Sequence, residues 1–394
     1  MQRVYLDNNA TTPLLPEVFE AMRPYFFERF GNASSIHQQG QQARGAVERA
    51  REQVAELLNC RPAEVVFTSG GTEGDNLAVF GLVQKGDHVV SSTIEHHAVM
   101  NACKKLEERG IEVTYVGVDA RGLVDPEDVK RALRPSTRLI SIMMANNETG
   151  VVQPVQGIGE IAREADVFFH TDAVQAAGKI PIDVQKIGCD LLTISGHKIH
   201  GPQGTGALYV RKGTLVQPLL YGGRHERSRR AGTENLPGIV GLGKAAEIAS
   251  AGFENGKTAK MAAMRDRLQS VIMEQVEACG VNGEGAPRVP NTTNIWFDFI
   301  EGEPMVIALD LKGVSISTGA ACSSGAIEPS HVLTAMGLSG ERARASIRFS
   351  LGKQTTDEDI DFVIARVPET VAKLRELSPL WKPSTQHSAL SIQS

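Results

Sequence analysis

The chain has 394 residues, 41% hydrophobic and 22% charged, with 39 glycines and a formal net charge of -5. That length accommodates two or three cores, and the glycine usage suits a loop-rich α/β enzyme better than a helical bundle. With no long basic run, a nucleic-acid or membrane-surface role has no support in the composition.

After a DNNATTP turn, the spacing of Val18, Met22 and Phe26 predicts a helix over Glu17 to Phe30. Ala43, Val47, Ala50, Val54 and Leu57 mark one face of a helix from Gln41 to Leu58. Val65 to Thr68 reads as a short strand running into SGGTEGDN. Strands and helices then alternate: HVVSS, a helix from His97 to Arg109, VTYVGV, a helix from Pro126 to Leu133, and LISIMMA. The rhythm continues with a helix from Ile158 to Ala165, VFFHTD, LLTIS and GALYV. This alternation predicts a mostly parallel sheet covered on both faces. A helix from Gly238 to Ala251 leaves it, and a long amphipathic helix from Thr258 to Ala278 follows. TTNIWFDF, VSIST and SIRFSLG read as strands, and a helix from Thr356 to Leu377 closes the fold. The expected division is a large domain over 15–255, a smaller α+β domain of 1–14 and 256–380, and a flexible polar tail over 381–394.

The five cysteines (Cys60, Cys103, Cys189, Cys279, Cys322) contain no C-x-x-C pair, so a reducing compartment is expected rather than a disulfide framework. MQRVYLDNNATTP lacks the apolar segment of a signal peptide, and Leu139 to Ala145 is far too short to span a bilayer. A soluble, cytoplasmic protein is expected.

Four segments carry chemistry. The Gly-rich turn SGGTEGDN, between strand and helix, presents N–H groups at a positive dipole end where a phosphate can sit, although most such turns are ordinary helix starts. It matches neither the P-loop nor the G-x-G-x-x-G pattern. In HTDAVQAAGK, Asp172 ends a buried strand and needs a cation to stay ionised; Gln175 lies one helical turn on. In SGHKIHGPQGTGALYV, Lys198 follows the apolar strand LLTIS, where a lowered pKa suits condensation with a carbonyl. His197 and His200 have no acidic or Cys companion, so no metal is expected. In TGAACSSGAIEPS, Cys322 sits among small residues that suit a mobile loop better than a core, whereas a buried inert thiol is the expectation for the other four. The arginines of HERSRRAG, beside Thr233, are read as ordering a loop.

Asp172 and Lys198, together with the upstream Gly-Thr turn, resemble the class V aminotransferases, pyridoxal-phosphate enzymes of fold type I. Within them the chain is similar to the cysteine desulfurases of the iron–sulfur cluster assembly and nitrogen-fixation type. The likeness runs from YLDNNATTP through GNASSIHQQG, FTSGGTEGDN, IEHHAV, NNETGVVQP, HTDAVQAAGK, SGHKIHGPQGTGALYV, GGRHERSRRAGTEN and TGAACSSG to SIRFSLG.

The resemblance implies that Lys198 holds the cofactor, Asp172 pairs with the pyridine nitrogen, Gln175 meets the ring oxygen and His96 stacks on the ring. It implies a phosphate held by Gly71, Thr72, Ser195 and His197, with Thr233 reaching the phosphate of the other subunit of a homodimer. Asn147 and Arg348 are implied to clamp the carboxylate of L-cysteine. The implied cycle takes the Cα proton with the Lys198 amine, with His96 as an acid/base. It passes the substrate sulfur to a Cys322 thiolate, leaves alanine, and hands the persulfide to an acceptor such as an iron–sulfur cluster scaffold. An aminotransferase, a selenocysteine or cysteine-sulfinate lyase, and a non-catalytic scaffold are the alternatives. Two departures bear on the acceptor and the loop. The chain shares LSPLW and then diverges into KPSTQHSALSIQS, and its GAACSSG differs from the commoner G-S-A-C-T-S.

Overall fold

The computed structural model describes residues 2–318, 329–379 and 381. Along them run β1 (Val4–Tyr5), β2 (Val65–Thr68), β3 (His88–Ser92), β4 (Glu112–Val116), β5 (Thr137–Ser141) and β6 (Phe168–Asp172). These are followed by β7 (Leu191–Ser195), β8 (Gly206–Val210), β9 (Cys279–Val281), β10 (Thr292–Phe297), β11 (Val314–Ser315) and β12 (Ser346–Ser350). Seven of them form one sheet in the order β2-β8-β7-β6-β5-β3-β4. All its neighbours are parallel except β8, which runs antiparallel to both β2 and β7. Every residue of β3, β7 and β8 is buried, as expected for strands covered on both faces.

This topology decides where chemistry can sit. Because β2 and β7 each pair antiparallel with β8, they point the same way as β6. The C-terminal ends of β2, β6 and β7 therefore share one edge of the sheet, the edge at which open α/β sheets bind ligands. The helices Gly71–Leu82, Gln38–Leu58 and Leu236–Glu254 cover the sheet.

A second core forms around the antiparallel sheet β12-β10-β9 and the short pair β1-β11. Leu6, Leu268, Ile295, Phe297, Leu309 and Phe349 fill it, against helices Lys257–Gln275, Gly302–Leu311, Asp357–Ile364 and Val367–Glu376. Gly256, in the left-handed region at φ 66°, separates helix Leu236–Glu254 from helix Lys257–Gln275.

Two helices read as continuous are broken. The first stops at Met22 and restarts at Pro24, and the last stops at Ile364 and restarts at Val367 with Pro368 in its first turn. Proline has no N–H for the preceding turn, so it starts a helix more readily than it continues one. LISIMMA leaves the sheet assignment after Ser141, yet Ile142 and Met144 still donate to His170 and Asp172 of β6 at 3.2 and 2.8 Å.

Candidate active site

Lys198 ends a short 3-10 turn directly after β7. Its Nζ donates to the main-chain carbonyls of Asn9 (2.5 Å) and Ala10 (2.7 Å). Burial, reinforced by the Arg348 cation, pushes its pKa down to about 8, against the opposing pull of Asp172 and Asp7. Asp172 ends β6, 6% exposed, and accepts from the Val174 amide at 2.8 Å. Burial first, and the nearby Asp75 second, push its carboxyl up to about 7. Asp75 is itself raised to about 7 by burial, with His170 Nε2 at 3.5 Å from its Oδ1. The amine and the carboxyl are thus both held near neutrality, each short of a full counter-charge.

The end of β2 turns through Gly70 and Gly71 into helix Gly71–Leu82. Gly70 has φ 155°, which a side chain rarely adopts, and a Cβ on Gly71 would come within 2.8 Å of Val174 Cγ2. From β8, a Cβ on Gly206 would lie 2.8 Å from the Gly70 backbone, so the turn is packed directly on the sheet. Around it opens a cavity of about 450 Å³ lined by Gly71, Thr72, Ser195, His197, Thr11 and Gln203. Burial and the neighbouring lysines hold His197 down at about 4, and its Nδ1 lies 3.1 Å from Thr11 Oγ1.

Asn9 joins these groups to the second core. Its amide donates to Asn147 O (3.2 Å) and Thr292 Oγ1 (2.9 Å), its N–H donates to Ser350 Oγ, and Asn291 donates to its Oδ1. Gln175 Nε2 donates to the same Asn9 carbonyl that receives Lys198, at 3.0 Å. Arg348, on β12, donates through Nη1 to Asn147 O at 2.9 Å and through Nη2 to Asp7 Oδ1 at 2.7 Å. Among the described residues its buried Nε has no partner. An arginine with a free buried edge beside a lysine amine is a ready receptor for a carboxylate.

His96 caps helix His97–Glu108, its Nδ1 accepting from Ala98 N at 3.1 Å, which leaves the ring proton on Nε2 in the neutral form. The residue is exposed to solvent, yet protein packs around much of the ring. That burial, with the Lys198 cation, holds it down at about 4 and therefore neutral.

Asp172, Gln175, Lys198, Ser195, His197, Gly71, Thr72, Asn147, Arg348 and His96 thus gather at one sheet edge. Thr233 is exposed on the loop before helix Leu236–Glu254 and is not among the residues lining the cavity. Cys322 lies outside the described residues. Asn9, Asp7 and Lys179 escaped the sequence reading as site residues, although DNNATTP and GK stand inside the motifs quoted for the resemblance. Among the described residues no group of three or more His, Cys, Asp or Glu is placed to hold a metal, and no helix is long and apolar enough to cross a membrane. His200 is occupied by Pro13 O (3.0 Å from Nδ1) and by the Lys353 amide.

Comparison with known proteins agrees with this geometry. The family model described as "Aminotransferase class-V" matches residues 4–363. A protein named "Cysteine desulfurase IscS" from Methanosarcina thermophila is 51% identical over 381 residues, covering 96% of this chain and 94% of the relative. Another of that name, from Dictyoglomus turgidum, is 48% identical over 388 residues, covering 97% and 98%. Among solved structures, a "NifS-like protein" superimposes with TM-score 0.88 at 37% identity over 95% of this chain and 100% of its own. "SspA in complex with cysteine" does so with TM-score 0.79 at 38% identity over 89% and 99%. The chain belongs to the class-V aminotransferase family.

Proposed function

We propose that the chain is a cysteine desulfurase that moves sulfur from L-cysteine to Cys322 and releases L-alanine. The observation that carries the reading is the placement of Lys198 and Arg348 on two carbonyls, of Asn9 and Asn147, that Asn9 itself ties together. An amine for the Cα proton and a guanidinium for the α-carboxylate thereby stand side by side, which is what an amino-acid substrate requires.

The cofactor is pyridoxal phosphate, and the residues present fit it. The Lys198 amine suits its aldehyde, the buried Asp172 its pyridine nitrogen, and the cavity at the start of helix Gly71–Leu82 its phosphate, with Gly71, Thr72, Ser195 and His197 as donors. When bound, it supplies a ring that accepts the electrons released at Cα. A cationic ring nitrogen returns Asp172 to its ionised form, since the missing counter-charge is then in place. Gln175 would meet the ring oxygen and His96 would stack on the ring face.

Arg348 and Asn147 orient cysteine by its carboxylate, and Lys198 takes the Cα proton and delivers it onward. The Cys322 thiolate then forms a bond to the substrate sulfur as the bond from Cβ to sulfur breaks. Cysteine plus one thiol becomes alanine plus one persulfide, with atoms and electrons balanced. The four described cysteines support the choice of Cys322. Burial raises the pKa of each, Cys60 and Cys103 to about 12, and so suppresses their thiolates.

The working unit is a homodimer in which Thr233 reaches the partner's phosphate, and the persulfide passes to an acceptor protein such as an iron–sulfur cluster scaffold. The residues divide into a large unit of 15–255, a small unit of 1–14 and 256–380 bearing the Cys322 loop, and a polar tail of 381–394, in a cytoplasmic setting. The test is Cys322→Ser in the full chain with cofactor bound. The near-visible absorbance is expected to persist while alanine formation from cysteine falls at least 1000-fold, about 4 kcal/mol in barrier. Alanine formation at the parent rate removes the persulfide step.

A further inference from the structure

Lys179 lies in the turn after β6, 8% exposed. Its Nζ donates to Gln175 Oε1 at 2.5 Å and to Asn9 Oδ1 at 3.4 Å. The charged groups that bear on it, Lys198 and Arg348, are both cations, and no carboxylate among the described residues pairs with it. A buried amine without a counter-charge destabilises a fold, and here burial and the two cations push its pKa well below the usual lysine value. Packing alone would be served as well by a methionine. What the amine adds is direction.

The two ends of a glutamine amide differ only in donor and acceptor character. Two neighbours settle which end of Gln175 points where. Lys179 presents N–H groups to one end, which must therefore be the oxygen. The Asn9 carbonyl faces the other end, which must therefore be Nε2, at 3.0 Å. Flipping the amide sets oxygen against oxygen at Asn9 and takes away the oxygen that the Lys179 N–H groups now reach. Nε2 carries two hydrogens, so one remains after Asn9 has taken its share.

We propose that Lys179 is a positioning residue for the reaction: it locks the Gln175 amide so that the spare N–H is directed at the cofactor ring oxygen. The proposal rests on the reading that Gln175 meets that ring. It assigns to Lys179 an action through Gln175 alone, with no contact to substrate or cofactor.

The experiment is a double-mutant cycle on the full chain, stripped of cofactor and titrated with pyridoxal phosphate, reading the half-saturating concentration and the near-visible absorbance maximum. Lys179→Met in the parent is expected to raise the half-saturating concentration about tenfold, equivalent to about 1.4 kcal/mol, and to displace the maximum. In a Gln175→Ala background the same substitution is expected to change neither by more than about twofold. Equal losses in both backgrounds, or no loss in the parent, overturn the proposal and leave the Gln175 reading standing. A silent Gln175→Ala overturns that reading and the proposal with it. If Lys179→Met does not fold, Lys179→Gln, whose amide ends one bond short of the Gln175 oxygen, enters the same cycle with the same outcomes.

Discussion

Arg348 Nη2 donates to Asp7 Oδ1 at 2.7 Å, so the guanidinium that faces the amine-bearing lysine is already half-neutralised by the segment that opens the chain. Asp7 and Asn147 fix the two terminal nitrogens, and Nε is buried without a partner among the described residues. A carboxylate docking there gains a charge-assisted bond without having to order the side chain, which is 5% exposed and held before the substrate arrives.

Arg348→Lys removes that planar edge while keeping the charge. It is expected to raise KM for cysteine by about tenfold to a hundredfold, or about 1.4 to 2.8 kcal/mol, with the near-visible absorbance of the bound cofactor unchanged. Steady-state alanine formation against cysteine concentration checks it; an unchanged KM refutes the anchor.

Asp172 makes a prediction about pH that needs no substrate. In the cofactor-free protein, burial raises its carboxyl to about 7, while the unfolded chain titrates near 4. The folded form therefore binds more protons than the unfolded one between those values. The stability present below pH 4 is lost as pH rises through about 7, at up to about 1.4 kcal/mol per pH unit. Asp75 and Glu95, raised to about 7 and about 8 by burial, have the same sign. His96, His170, His197 and His200, held down at about 4, act in the opposite direction below about pH 6.5, so the test is the difference between two proteins. The melting temperature of the cofactor-free parent is expected to fall relative to that of Asp172→Asn as pH rises from about 5 to about 8; a difference that does not change with pH contradicts the shift.

Gly206→Ala tests the seat of the phosphate turn. The added methyl group would lie 2.7 Å from Ile194 O and 2.8 Å from the Gly70 backbone, atoms that move only if β7 or the turn moves. A loss of about 1 to 3 kcal/mol in denaturant unfolding is expected, as for other overpacked sites, together with weaker retention of pyridoxal phosphate. Normal retention would show that the turn tolerates displacement.

The loop before helix Leu236–Glu254 carries its own lock. Glu226, Arg227 and Ser228 all have positive φ (45°, 56° and 65°), a run that costs backbone energy at each residue. Glu226 meets Arg51 in a two-pronged buried ion pair at 2.8 and 2.9 Å and accepts from Phe67 N at 3.1 Å. Arg230 forks onto Glu73 in the first turn of the phosphate helix. Glu226→Gln leaves the buried Arg51 with only the half-exposed Glu48 carboxylate, 3.3 Å from its Nε, and is expected to cost about 1 to 3 kcal/mol. Trypsin cleavage after Arg227, Arg229 or Arg230 should accelerate; unchanged cleavage would mean the pair does not hold the loop.

The large sheet and the residues at its edge were legible because they are local signals. Asp172 ends an apolar strand, Lys198 follows one, and Gly71 and Thr72 stand at a strand-to-helix turn, so local pattern marked these segments, while their roles and Ser195 came from the family resemblance. Asn9 and Asp7 were not, since their partners lie hundreds of residues away, at Lys198, Asn291 and Arg348, and no periodic pattern joins them. The broken helices at Pro24 and Pro368 were missed because the apolar spacing continues across each break. Helix Gly302–Leu311 went unread because Met305, Val306, Ile307, Ala308 and Leu309 form an unbroken apolar run, which does not distinguish a buried helix from a strand.

Asn9 has a consequence for biosynthesis. Its main-chain carbonyl holds the reactive amine, but Asn9 is held in turn by Thr292, Asn291 and Ser350, and Asp7 bridges to Ser350. A nascent chain on the ribosome has made the large sheet long before it has made residue 350. Until then Asn9 has its partners at Asn147, Lys198 and Thr292 but lacks the bond to Ser350. A product truncated before β12 lacks Ser350 and Arg348 and is expected to retain the prosthetic group poorly.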